Sequence, residues 1–110
     1  MVLFLSKRKE PMTLHQLSVW IVVAKHQSVT KAADELHIRQ PTVSIQVKCL
    51  QKECGIKLYK VKTGNLGIEL TQAGRLLLKH AKLILLQVKI LEKKLISSRK
   101  RRLGRGNPRE

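Results

Sequence analysis

The residues best suited to chemistry lie close together near the middle of the chain. Gln40-Pro41-Thr42-Val43-Ser44 places an amide and two hydroxyls around a proline, with Lys48 one turn further on. An amide offers a donor and an acceptor side by side, the pair that adenine displays in the major groove of duplex DNA. Hydroxyls can serve bases or phosphates. A second group, Lys60, Lys62, Thr63 and Asn65, surrounds a glycine-rich turn and suits contact with phosphates or the minor groove. The bland alternatives are a solvated amphipathic helix and a hairpin made lysine-rich for solubility. Catalytic chemistry is not expected, because there is no Ser/His/Asp array, no phosphate-cradling glycine loop and no pair of carboxylates. Neither a metal nor another cofactor is expected: Cys49 and Cys54 stand with scattered His15, His26, His37 and His80, without ligand spacing. Both cysteines and Trp20 are expected as packing residues.

Composition agrees with a polyanionic partner. The 110 residues hold 23 Lys plus Arg against 7 Asp plus Glu, a formal net charge of +16, and are 43% hydrophobic. That is enough for one packed domain with tails. Phe4, Trp20 and Tyr59 are the only aromatic residues, which argues against single-strand binding by base stacking and favours a duplex. Charge is uneven: +2 over residues 1–11, +4 over 12–71, and +5 each over 72–98 and 99–110. The runs Trp20–Ala24 and Leu83–Leu86 are too short to span a membrane, so no membrane partner is expected. Val2–Leu5 is too brief for a signal sequence. With two cysteines and no export signal, a cytoplasmic, nucleoid-associated location is expected.

These groups need elements to hold them. Thr13 and Gln16 form a capping box for a first helix over about Leu14–His26, with Leu14, Leu17, Ile21 and Ala24 inward and Trp20 and Val23 widening the stripe. Ser28 caps a second helix through Leu36, and His37-Ile38-Arg39 is a short turn. Pro41 sits in the first turn of a third helix, which has Val43, Val47, Leu50 and Cys54 as its core stripe and ends at Gly55. Counting from Val43, the residues Pro41, Ser44, Ile45, Lys48 and Lys52 fall on the opposite half. Lys57–Lys62 and Ile68–Thr71 flank Thr63-Gly64-Asn65-Leu66-Gly67 as a hairpin. Thr71 caps a fourth helix that meets no breaker before Ser98. The expected fold is mainly α: a winged helix-turn-helix with a two-stranded β-hairpin wing, followed by a long dimerisation helix. Residues 1–11 form a basic N-terminal tail, 12–71 the winged helix-turn-helix domain (its motif at about 29–48), 72–98 the linker helix, and 99–110 a flexible basic tail.

Over Met12–Ala81 the sequence resembles the DNA-binding region of LysR-type bacterial transcriptional regulators. The likeness is carried by Leu17, Ala24, Ser28, Thr30-Lys31-Ala32-Ala33, Leu36, Gln40-Pro41-Thr42-Val43-Ser44, Gln46 and Leu50. It continues in Gly55, Leu58 and Leu70-Thr71-Gln72-Ala73-Gly74. The resemblance implies sequence-specific binding of double-stranded DNA for transcription regulation, by a dimer on a partly palindromic promoter site. Candidate contacts are Arg39, Gln40, Pro41, Thr42, Ser44, Ile45 and Lys48 on the recognition helix, Ser28, Thr30 and Lys31 at the start of the second helix, and the wing residues above. The chain departs from the family's pattern at Arg39, where Ser is frequent, and at Ile45, where Arg is usual. It departs again at Gln27-Ser28-Val29, where Gly-Ser-Phe is usual, and at Gln51, where Glu is. The family's ligand-sensing region has no counterpart here, as expected of a fragment or a truncated member.

Leu77, Ala81, Ile84, Val88, Leu91 and Leu95 recur at alternating steps of four and three, a coiled-coil seam that calls for a partner helix. The expected partner is a second copy of the chain, extending to a tetramer if an effector domain is attached. The rival reading is a coiled-coil interaction module whose basic surface binds acidic partners without DNA sequence preference.

Overall fold

The structure, a computed structural model, describes residues 12–104. Thr13 opens it with both halves of a capping box. Its hydroxyl accepts the Gln16 N–H at 3.0 Å, and its own N–H donates to Gln16 Oε1 at 3.1 Å. Helix α1 follows over Leu14–His26. The Ser28 hydroxyl accepts the Lys31 N–H at 3.1 Å and starts α2, Val29–Leu36. Helix α3 spans Gln40–Cys54 and stops at Gly55, whose left-handed φ of 72° lets its N–H reach the Gln51 carbonyl. Strands β1 (Tyr59–Val61) and β2 (Ile68–Leu70) pair antiparallel, Tyr59 opposite Leu70 and Val61 opposite Ile68, around a short 3-10 turn at Thr63–Asn65. Helix α4, Gln72–Gly104, completes a winged helix-turn-helix with a long arm.

One core joins all of these elements. Val19, Trp20 and Val23 of α1 meet Ala32 and Ala33 of α2 and Val43, Val47 and Leu50 of α3. Leu58, Ile68 and Leu70 close the wing over that layer, and Ala73, Leu77 and Leu78 of α4 pack against it. Helix α1 is therefore covered by α2, α3 and α4, and its buried face is broader than a single stripe. Val19 is fully buried, whereas Leu14, expected inside, lies in the first turn with 48% of its surface exposed.

Trp20 links the two ends of the domain. Its indole N–H donates to the Gly74 carbonyl at 3.1 Å inside the core, and its ring lies 6.4 Å from that of Tyr59. Gly74 in turn sits where Thr71 receives it. The Thr71 hydroxyl accepts the Gly74 N–H at 3.1 Å and donates to the Lys57 carbonyl at 2.7 Å, capping α4 while pinning it to the segment that leads into β1. A Cβ on Gly74 would overlap the Leu58 carbonyl oxygen and press on the Trp20 ring at 3.1 Å. Only glycine allows α4 to approach this closely.

Two expectations for α4 need correction. The helix does not end at Ser98 but continues through Gly104, because Arg99–Leu103 are adequate helix formers and cations suit the negative end of the helix dipole. The expected flexible tail over 99–110 is thus helical in its first part; residues 105–110, like the expected tail at 1–11, lie outside the described residues. The seam is also shared. Leu77 packs on the core and Ala81 is 0% exposed within the single chain, so both serve the domain itself. The exposed apolar surface lies further round and further along the helix, where Leu83, Ile84, Gln87, Val88 and Leu91 line an open groove.

Two predictions follow from this packing. Gly74→Ala should destabilise the domain by at least about 2 kcal/mol in urea unfolding, because the added methyl meets backbone that cannot move aside. The second concerns Glu35, whose carboxylate holds His26 Nε2 at 2.7 Å and Lys25 Nζ at 3.1 Å, tying α2 to the end of α1. Hydrogen bonds from His26 and then Lys25 lower its pKa. With the folded value depressed, the contribution is present above the unfolded carboxylate pKa and is lost as pH falls through the folded one. Glu35→Gln should therefore lower stability slightly at neutral pH and leave it close to that of the parent once pH falls through the folded pKa, flattening the acid limb between the two, as thermal unfolding across that range would show.

Candidate nucleic-acid interface

The helix-turn-helix is set by its two turns. His37 ends α2 in the left-handed region at φ 58°, with its N–H on the Asp34 carbonyl (3.3 Å) and the Ile38 N–H on the Ala33 carbonyl (3.1 Å). Ile38 then packs against the core, so the chain leaves α2 at a fixed angle. Arg39 is the N-cap of α3, but its side chain makes no capping bond. Its carbonyl receives the Thr42 and Val43 N–H groups at 3.0 and 3.3 Å. Pro41 has no N–H, and the Gln40 N–H has no partner among the described residues. The first turn of α3 thus presents one open amide donor at the positive end of a helix dipole, a place where a phosphate is stabilised.

The side chains of α3 divide cleanly. Val43, Val47 and Leu50 are buried, while Arg39, Gln40, Pro41, Thr42, Ile45 and Lys48 are exposed and Ser44 is half-buried. Ile45 is 60% exposed in the middle of this outer face. Apolar exposure there is unfavourable in water and suits contact with a thymine methyl group. Cys49, expected as a packing residue, is exposed because the helix turn carries it to the outer side; Cys54, on the core stripe, is half-buried against the core. Thr30 and Lys31 are exposed at the start of α2, whereas the Ser28 oxygen is engaged as the cap of that helix.

The wing is anchored at both ends. The Lys62 N–H donates to the Gly67 carbonyl at 2.9 Å, closing the loop, and the Ile68 N–H donates to the Gln27 carbonyl at 2.9 Å. Gly67 has φ 101°, and a Cβ there would stand 2.5 Å from the Gln27 oxygen, so glycine is needed where the wing meets the turn between α1 and α2. Lys60, Lys62 and Thr63 are exposed on this hairpin, with the backbone of Asn65 closing its 3-10 turn. A contact that the sequence did not reveal sets the wing against α3: Gln51 Oε1 accepts the Leu58 N–H at 2.8 Å. The only available hint was an amide side chain one turn before the Gly55 stop.

Among the described residues, no group of three or more His, Cys, Asp or Glu side chains could hold a metal ion. No described helix is long and apolar enough to cross a membrane. What the geometry offers is a basic and polar surface on a rigid support, with a helix start and a hairpin as its two projecting parts.

Comparison with known proteins agrees. The sequence matches the family described as bacterial regulatory helix-turn-helix protein, lysR family, over residues 14–75. It is 46% identical over 81 residues to the HTH-type transcriptional regulator CfxR of Cupriavidus necator, covering 74% of this chain and 25% of that protein. It is 35% identical over 81 residues to the DNA-binding transcriptional dual regulator OxyR of Escherichia coli, covering 74% and 26%. The chain therefore spans about a quarter of the length of these relatives. The crystal structure of the CbnR_DBD–DNA complex superposes with a TM-score of 0.74 at 31% identity, covering 79% of this chain and 98% of that one. The BenM_DBD/catB site 1 DNA complex gives 0.66 at 34% identity, covering 82% and 94%. With the match extending over more than half its length, the chain belongs to the lysR family of bacterial regulatory helix-turn-helix proteins.

Proposed function

We propose that the chain regulates transcription by reading duplex DNA as a dimer on a partly palindromic site. In this reading α3 enters the major groove, the wing rests on the flanking backbone, and paired α4 helices set the spacing of two recognition helices. The observation that carries the proposal is the outer face of α3. Its first turn combines the open Gln40 N–H with exposed Gln40 and Thr42 side chains, and its opposite face is locked in the core. A phosphate at the helix start would fix the register, Gln40 would pair with adenine, and Ile45 would touch a thymine methyl. Thr30 and Lys31 on α2, with Lys48, Lys60 and Lys62, would add the salt-dependent part of affinity. The named DNA complexes of similar fold support this reading.

The dimer rests on a separate observation. Beyond the reach of the domain core, α4 leaves Leu83, Ile84, Leu91 and Leu95 exposed, a surface that association would remove from water. Leu77 and Ala81 would contribute by holding the arm to its own domain, with Val88, on the groove wall, and the exposed residues forming the contact between copies. The rival interaction module would share this seam, so the outer face of α3 discriminates between the two readings.

Gln40→Ala should leave folding and dimerisation intact and cost roughly 1–3 kcal/mol on a target duplex, with little loss on a scrambled one. Titration against both duplexes at one salt concentration measures the difference. A proportional loss on both would assign Gln40 to the phosphate backbone. Ile84→Glu should convert the dimer to monomers in sedimentation while leaving the melting of the winged domain close to that of the parent. A parent that sediments as a monomer at tens of micromolar would refute the arm's role.

A further inference from the structure

Helix α4 has a third face that neither the domain nor the apolar groove uses. Leu77, Leu78 and Ala81 turn toward the domain, and Leu83, Ile84, Gln87 and Leu91 line the groove. At about 100° per residue, Lys79, Lys82, Lys89, Lys93 and Lys100 fall within about 40° of one line, which is centred roughly 100° or more from the centre of each of the other faces. All five are exposed, and none forms an ion pair among the described residues. Glu92 is the only acidic residue of the helix and lies about a quarter-turn away from this line. The stripe runs for about 30 Å at 1.5 Å per residue.

Such a face repels itself. Lys79 with Lys82 and Lys89 with Lys93 are like charges at three- and four-residue spacing, which weakens an isolated helix. A polyanion laid along the stripe removes that repulsion and releases its own counterions. Leu86, 50% exposed, is the one apolar side chain among these lysines, and a single leucine is less than other partners need. The stripe has no aromatic or arginine anchor of the kind that carries a protein interface, and no bulky aromatic residue to enter a lipid surface. Closely spaced phosphates require neither. The position matters too: α1 packs against both α3 and α4, while α3 and α4 make no comparable contact with each other. Helix α1 thus lies between the recognition helix and the arm that carries the stripe.

We propose that the lysine face of α4 holds the phosphate backbone of a second duplex segment, separate from the one read by α3. This rests on the DNA-binding reading given above for α3. The test uses the full chain and short duplexes carrying one half-site, with stoichiometry followed by sedimentation at low salt. The parent should take up a second duplex per protomer after the first. That second uptake should weaken with salt by a slope of about 3–4, as four or so lysine–phosphate contacts require. The variant carrying Lys79→Gln, Lys82→Gln, Lys89→Gln and Lys93→Gln should bind the first duplex as the parent does and lose the second; arginine at the same four positions should retain it. Lys48→Glu should do the reverse, weakening the first uptake and sparing the second. A parent that binds a single duplex, or a glutamine variant that still binds two, would overturn the proposal. Lysine-dependent binding to phosphatidylserine vesicles without a second duplex would also overturn it and assign the face to a membrane surface. Failure of the first uptake in the parent would instead count against the reading of α3.

Discussion

The hydrogen bond from the Trp20 indole to the Gly74 carbonyl holds the architecture together. It is made in the core between residues 54 positions apart, and it fixes α4 against α1 at the point where the arm leaves the domain. A buried indole N–H without a partner would be costly, so α4 is held where its carbonyl can serve. The same closeness excludes any side chain at Gly74 and brings Thr71, Lys57 and Leu58 into one hydrogen-bonded junction. Through Leu58 the junction reaches Gln51 of α3. The arm, the wing and the recognition helix are thereby referred to one fixed point, so the angle between arm and recognition helix is a property of the core.

Much of this was legible in the sequence because it is local. The caps at Thr13, Ser28 and Thr71 and the stop at Gly55 act over three or four residues, and residue type alone announces them. The outer face of α3 was equally readable, since one buried stripe fixes the direction of every other side chain on that helix. The Gln51–Leu58 and Trp20–Gly74 bonds were not readable, because each depends on where a second element comes to rest. The backbone of Gln27 and His37 is likewise not announced by residue type. Both adopt left-handed backbone that residue type would assign to glycine or asparagine; the Ile68 N–H on the Gln27 carbonyl holds the first, and the closing bonds of α2 with the packed Ile38 hold the second.

The seam of α4 shows a different limit. Heptad arithmetic finds the apolar positions of a helix but not which neighbour each one meets. Leu77 and Ala81 fit the repeat as well as Ile84 and Leu91 do, yet the domain covers the first pair and leaves the second exposed. The end of the helix differs from the sequence expectation for a related reason. A run of cations suggests a solvated tail, but arginine and lysine are good helix formers, and the breaking residues begin only at Gly104.

The placement of charge reflects a division between what stabilises the fold and what remains free to bind. No polar or charged residue among those described is buried, so the core asks nothing of the basic side chains. The cations therefore stay on the surface, where repulsion among them is softened by water and salt. Glu35 ties α1 to α2, and among the described residues the lysines of the wing and those along α4 have no carboxylate partner in an ion pair. A surface of this kind gains little from its own charges in isolation. It gains when phosphates replace the missing acids, and the rigid core beneath lets that gain depend on where the phosphates lie.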